Sequence, residues 1–124
     1  MKIDTLQRYF NEWIRNRDKN PDGSYTCISC GKNITNIKQV HAGHWLPKQW
    51  FGWLRFDPDN VSIQCASCNY RDGEWLKYMV ALNKKIGTER LNALIDRAMN
   101  KPKDFKWDEK KKDEVLNMIK DLDK

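Results

Sequence analysis

No run of apolar residues in this chain approaches the roughly 18 to 20 that a membrane-crossing helix needs. The opening MKIDTLQRYF also lacks the apolar stretch of a signal peptide. Together these absences lead us to expect a soluble protein of the cytoplasm, where disulfides are not the default use of cysteine. No segment repeats another beyond two short cysteine pairs, and none is low in complexity, which excludes solenoids and disordered linkers. Histidine is scarce, with two in 124 residues.

What is present describes one soluble globular domain, 1–124, with 40% hydrophobic and 32% charged residues. Lys and Arg outnumber Asp and Glu by 23 to 17, giving a net charge of +6. A polyanionic partner is favoured, though not required, by that balance. The lysines crowd into KPKDFKWDEKKKDE at 101–114. With acids interleaved, that segment reads first as a solvated helix face and second as a phosphate-binding surface.

Cys27 and Cys30 form one C-x-x-C and Cys65 and Cys68 another. Two such pairs predict a tetrahedral Zn²⁺ site, each turn supplying two thiolates at about 2.3 Å from the ion. A redox C-x-x-C needs no second copy, and an iron–sulfur cluster often uses other spacings. Gly31 suits the tight turn after the first pair. The ion closes a long loop, from residue 27 to residue 68, so whatever lies inside that loop is held by it.

Helical spacing of Leu6, Tyr9, Phe10, Trp13 and Ile14 predicts an N-terminal helix within 1–20, capped by Asp4 or Thr5. DKNPDGS ends it. Two alternating segments, NIKQVHAGHWLP at 36–47 and NVSIQC at 60–65, predict an antiparallel pair with a long connection, Val61 and Ile63 sharing one side. NIT at 33–35 reads as loop. After Cys68 the pattern turns helical, with Trp75, Leu76, Met79, Val80 and Leu82 or Asn83 before a glycine stop. A helix capped by Thr88 follows, carrying apolar residues at 91, 94, 95 and 98, and then a last helix over about 108–122 with Val115, Leu116, Ile119 and Leu122. The expected class is α+β: a small ββα centre with its four-cysteine zinc site at 25–85, flanked by the N-terminal helix and by C-terminal helices at 86–124.

Residues 41–69, HAGHWLPKQWFGWLRFDPDNVSIQCASCN, hold both histidines, two of the four cysteines and three of the six tryptophans. HAGH alone is a weak signal, since a histidine pair on a strand is more often packed or exposed than functional. Its place between the cysteine pairs, with Asn69 directly after the second pair, makes it a site candidate. A C-x-x-C, a histidine with a proline three residues on, an Asn opening a second strand and a C-x-x-C-N together resemble the HNH, or His-Me finger, nuclease motif in a zinc-knuckle frame. More closely, YFNEWIRNRDK, CISCGK, HAGHWLP, RFDPDNVSIQCASCN and ALNKKIGTERLNAL resemble the phage NinG/Rap recombination endonucleases. The likeness runs from about residue 6 to residue 96.

That resemblance implies a metal-dependent DNA endonuclease cutting branched recombination intermediates such as Holliday junctions, in the cytoplasm of a phage's bacterial host. It assigns His44 as general base, an imidazole whose ordinary pKa suits the task. Asn60 becomes the residue that orients the imidazole, by side chain or backbone, and Asn69 a metal ligand at the helix start. Where most relatives place an Asp or His ligand, this chain has Gly43. On a strand, residue 41 shares a side with residue 43, so His41 is expected to fill the gap. His41 and Asn69, with Asp72 as a weaker third ligand, are thus expected to hold Mg²⁺ or Mn²⁺. Arg55 is either a phosphate clamp or a structural ion pair, and Asp57 and Asp59 are expected to shape the turn before Asn60.

Trp45, Trp50, Phe51, Trp53 and Phe56, set around Lys48 and Arg55, suggest either a cover for the ββα centre or rings that stack on unpaired bases. Lys48, Trp50, Trp53 and Arg55 are the expected DNA contacts. Two-fold junctions suit a homodimer built through the terminal helices. The rival readings are a non-catalytic zinc-knuckle DNA-binding module, in which the histidines only pack, and an HNH nuclease that is non-specific or sequence-directed.

Overall fold

The computed structural model describes residues 1–70 and 74–122. Its first element, α1 (Ile3–Asp18), buries Leu6, Phe10 and Ile14 along one face, each burial contributing about 1.5–3 kcal/mol. Neither Asp4 nor Thr5 is the cap: Lys2 occupies that position without a side-chain bond. Asp4 lies instead in the first turn, where a negative charge meets the positive end of the helix dipole, and its carboxylate reaches Arg55 Nη2 at 3.3 Å.

A short antiparallel hairpin, β1 (Tyr25–Thr26) and β2 (Asn33–Ile34), carries the first cysteine pair between its strands. Asn33 and Ile34 are therefore strand rather than loop, because Ile34 is buried opposite Tyr25. Gly31 has φ +76°, a conformation that costs glycine little, and its amide donates to the Cys27 carbonyl at 2.9 Å.

The central pair, β3 (Val40–His44) and β4 (Val61–Cys65), is antiparallel as expected, in the register His41↔Gln64, Gly43↔Ser62 and His44↔Val61. Val40, Val61 and Ile63 belong to the core cluster built on α1, with Ala42 packed against it. Both faces of β4 are buried, so Ser62 and Gln64 lie inside as well. The connection 45–60 folds as two 3₁₀ turns, Gly52–Leu54 and Pro58–Asn60. One helical turn, α2 (Ala66–Asn69), follows β4 with Cys65 at its cap position.

Three helices complete the α+β architecture: α3 (Trp75–Ile86), α4 (Thr88–Met99) and α5 (Glu109–Leu122). The core face of α3 is rotated from the expected one. Tyr78 and Leu82 are buried, whereas Trp75, Leu76 and Val80 are exposed. The Tyr78 hydroxyl sets this phase by donating to the Gly43 carbonyl at 2.7 Å. Gly87, at φ +88°, ends α3 as expected and itself precedes α4. Thr88 is inside α4 rather than capping it, and its hydroxyl donates to Asn83 Oδ1 at 3.0 Å. Leu91 and Leu94 face inward with Trp45, Leu46, Leu54, Tyr78 and Leu82 in a second core cluster. Val115 and Ile119 of α5 join the first. Among the described residues no helix is long and apolar enough to cross a membrane.

Candidate functional site

The sulfurs of Cys27, Cys30, Cys65 and Cys68 lie within 4.8 Å of one another, and none is in a disulfide. A tetrahedral site with Zn–S bonds of about 2.3 Å has edges of about 3.8 Å, and Cys30 and Cys65 stand 3.9 Å apart. The residues fit a structural zinc ion. Burial raises the Cys27 and Cys68 thiols. Burial also pulls Cys65 upward, but hydrogen bonds from Cys68 and the neighbouring thiols outweigh it and hold Cys65 below the ordinary thiol value. A divalent cation that displaces the protons of four such crowded thiols gains four sulfur ligands at once. The cluster joins the β1–β2 hairpin to the end of β4, a junction also bridged by the Ile28 amide donating to the Ile63 carbonyl at 2.8 Å.

Beside it lies a cleft of about 810 Å³, lined in part by His41, His44, Gln64 and Asn69. Lys48, Arg15, Glu74 and Trp75 also line it. His44 closes β3, and its Nε2 stands 2.9 Å from the Arg55 carbonyl oxygen. A carbonyl only accepts, so Nε2 carries the proton and Nδ1 keeps its lone pair. Among the described residues nothing hydrogen-bonds to Nδ1. Burial drives the imidazole pKa down to about 4, with the Lys48 and Arg55 charges pushing the same way and the Arg55 carbonyl opposing. The ring is neutral across the physiological range.

Among the described residues Asn60 makes no hydrogen bond to that ring. Fully buried, it accepts from the Leu46 amide at 2.9 Å and donates to the Leu46 and Leu54 carbonyls at 3.0 and 3.2 Å. Its backbone carbonyl also receives the Trp45 amide at 2.9 Å. The side chain clamps both ends of the segment that delivers the Arg55 carbonyl to His44.

His41 and Asn69 are brought together: Asn69 Nδ2 lies 3.1 Å from His41 Nδ1. Half a turn of the terminal amide presents Oδ1 instead. Two donors at that separation match adjacent vertices of an octahedron with ligands at about 2.1 Å, whose edge is about 3.0 Å. Asp72 lies outside the described residues.

Arg55 meets His44 through its backbone carbonyl, and its guanidinium is engaged elsewhere. Nε donates to Gln7 Oε1 at 2.6 Å and Nη2 reaches Asp4 on α1, so of the two expected roles the geometry matches the structural one. Asp57 and Asp59 shape the turn as expected: Asp57 Oδ1 accepts from the Asp59 amide at 3.0 Å, Arg97 pairs with Asp57 and Arg90 with Asp59. The aromatic segment divides. Trp45 is buried and stacked on Trp75 at 5.0 Å, and Phe56 packs on Phe10 and Trp107. Trp53 is half-buried and donates to the Arg97 carbonyl at 2.8 Å. Trp50, 73% exposed, is left as the outward ring of the segment. Lys48 is exposed at the cleft mouth, and partial burial with the nearby Arg55 charge lowers its pKa.

Gln7, Gln64 and Tyr78 were not legible as site residues, because neutral polar and aromatic side chains at helical or strand spacing carry no signal of their own. Gln64 Nε2 donates to Ser29 Oγ, within the first cysteine turn, at 2.9 Å.

These features define a class: a small helix-wrapped protein in which a four-cysteine cluster braces a histidine-lined cleft. The chain belongs to the Bacteriophage Lambda NinG protein family, whose model it matches over residues 2–124. It is 33% identical over 125 aligned positions to Protein ninG of Salmonella phage P22, an alignment covering 97% of this chain and 57% of that protein. It is 36% identical to Protein ninG of Escherichia phage 933W and 34% identical to that of Escherichia phage lambda, each alignment covering 74% of this chain and 43% of the relative. The chain thus spans about half the length of the curated relatives it matches. No solved structure matches it.

Proposed function

We propose that the chain is a metal-dependent DNA endonuclease of the HNH, or His-Me finger, type, hydrolysing phosphodiester bonds in branched recombination intermediates such as Holliday junctions. The observation that carries this reading is the state of His44. His44 lines the cleft with Nε2–H held on the Arg55 carbonyl, and among the described residues nothing bonds to Nδ1. A general base needs that arrangement, together with neutrality at working pH.

In this mechanism the Arg55 carbonyl holds the His44 ring by Nε2–H, and Asn60 holds the loop that carries the carbonyl. Nδ1 takes a proton from water, whose oxygen attacks phosphorus, and the 3′ oxygen departs. His41 and Asn69 would hold Mg²⁺ or Mn²⁺, which supplies positive charge for the phosphoryl oxygens and the leaving oxygen. Arg15, Lys38 and Lys48, which line the same cleft from three separate segments, attract the phosphate backbone of DNA. Zinc is architectural. Preference for branched DNA rests on the family resemblance, and Trp50 is the ring available to stack on an unpaired base.

The test is digestion of a synthetic four-way junction beside a linear duplex of the same sequence, using zinc-loaded protein with and without Mg²⁺. Cleavage of the junction that needs Mg²⁺ and disappears in His44→Ala is the expected result. Equal cleavage of both DNAs would make the enzyme a non-specific member of the type. Tight binding with every phosphodiester intact would make the chain a zinc-knuckle binding module and end the nuclease reading.

A further inference from the structure

Gly43 immediately precedes His44, on the strand face that carries His41, and a side chain cannot be added to it without displacing another. A Cβ built there would stand 2.6 Å from Gln64 Cδ and 2.9 Å from Cγ, with the Gln64 amide oxygen closer still. Gln64 thus reaches diagonally from β4 and lays its amide where a residue-43 side chain would begin. Its own cross-strand partner is His41, so the two side chains rise from one face as direct neighbours.

The amide is also oriented. Gln64 is buried, at 5% exposure, and its Nε2 donates to Ser29 Oγ at 2.9 Å. In this orientation Nε2 faces the cysteine turn and Oε1 is the other end of the amide. Among the described residues no group donates to Oε1, and Gln64 lines the cleft together with His41 and Asn69.

We propose that Gln64 Oε1 is a ligand of the divalent ion in this cleft, supplying from the neighbouring strand the oxygen that glycine at position 43 cannot. The inference rests on the metal-dependent reading of the cleft and adds a third ligand to it. The resulting set, an imidazole nitrogen and two amide oxygens, is neutral. A neutral set binds a divalent cation more weakly than one with carboxylates, because affinity rises with ligand charge. It also leaves the full double charge of the cation directed at phosphate. The orienting hydroxyl of Ser29 sits between Ile28 and Cys30, so the cysteine cluster and the cleft are linked through one hydrogen bond.

The experiment is titration of Mn²⁺ into the zinc-loaded chain without DNA, followed by the loss of the free-ion electron paramagnetic resonance signal. Gln64→Ala should weaken Mn²⁺ binding by about tenfold or more, the range over which metal sites respond to lost partners. Gln64→Glu should tighten it, since the reach is kept and a charge added. Gly43→Ala should weaken binding as Gln64→Ala does, because its Cβ expels the amide, and Gly43→Asp combined with Gln64→Ala should restore it. Zinc content and circular dichroism certify the fold of each variant. Wild-type affinity in both folded Gln64 variants would overturn the proposal while leaving the metal reading intact. A wild-type chain that takes up no Mn²⁺ would overturn both.

Discussion

The imidazole of His44 and the carbonyl oxygen of Arg55 are 2.9 Å apart across the mouth of the 45–60 connection, and this contact decides how the protein should respond to pH. Burial holds the ring near a pKa of about 4, below its ordinary 6.5. The unfolded chain therefore takes up this proton first. Stability from the neutral ring is complete above about pH 6.5 and falls as pH drops toward 4. Cleavage should likewise show no inflection near 6.5. A pH–rate profile that doubles around that value would assign the base to another group.

Asn60 is fully buried with three side-chain bonds to Leu46 and Leu54. Asn60→Ala strands those backbone groups, and we expect a loss of about 2–4 kcal/mol in denaturant unfolding. Zinc content should be unchanged and junction cleavage reduced, because the Arg55 carbonyl is no longer fixed. Unchanged stability in Asn60→Ala would contradict the clamp.

Arg55 and Lys48 should separate cleanly. Arg55→Ala removes the bonds to Gln7 and Asp4 and should cost about 1–3 kcal/mol of stability. Lys48→Ala should leave stability unchanged and lower the slope of log affinity for DNA against log salt by about 1. Binding isotherms at three salt concentrations, with thermal melts of each variant, distinguish the two roles.

Chelation of zinc should abolish the cooperative unfolding transition. The cluster ties the hairpin carrying Cys27 and Cys30 to the end of β4 and α2, and in a small domain the binding energy of such an ion is folding energy. Cys65→Ser should behave in the same way. A chelated chain that still melts cooperatively near the wild-type temperature would show the cluster to be dispensable.

Trp50→Ala should weaken binding to a four-way junction more than to a linear duplex, with stacking worth roughly 1–3 kcal/mol per base. Equal losses on the two DNAs would remove the ring from branch recognition. Trp53 is pinned to the Arg97 carbonyl, so Trp53→Ala is expected to register in the thermal melt.

The parts of this molecule that local chemistry determines were legible in the sequence. Paired cysteines foretold the four-sulfur cluster, alternation foretold β3 and β4, and the strand period foretold that His41 stands on the side of Gly43. The phase of α3 was not legible, because Trp75, Leu76 and Val80 are as apolar as a core face. The bond from Tyr78 to the Gly43 carbonyl and the burial of Leu82 belong to the other one. The orientation of Arg55 was hidden for a similar reason: its partners Gln7 and Asp4 lie some fifty positions upstream on a helix whose packing no periodicity fixes. The partners of Asn60 were not legible either, since they depend on which backbone groups the fold leaves unpaired.

Gly43 and Gln64 compete for one volume of space, and that competition reaches beyond this chain. A lineage of the family that acquires a side chain at the first position must move the amide of the second aside, and one that keeps the amide in place must keep the first bare. Compared across many phages, the two positions should trade bulk against each other as they drift, a signature that is absent if their proximity is incidental.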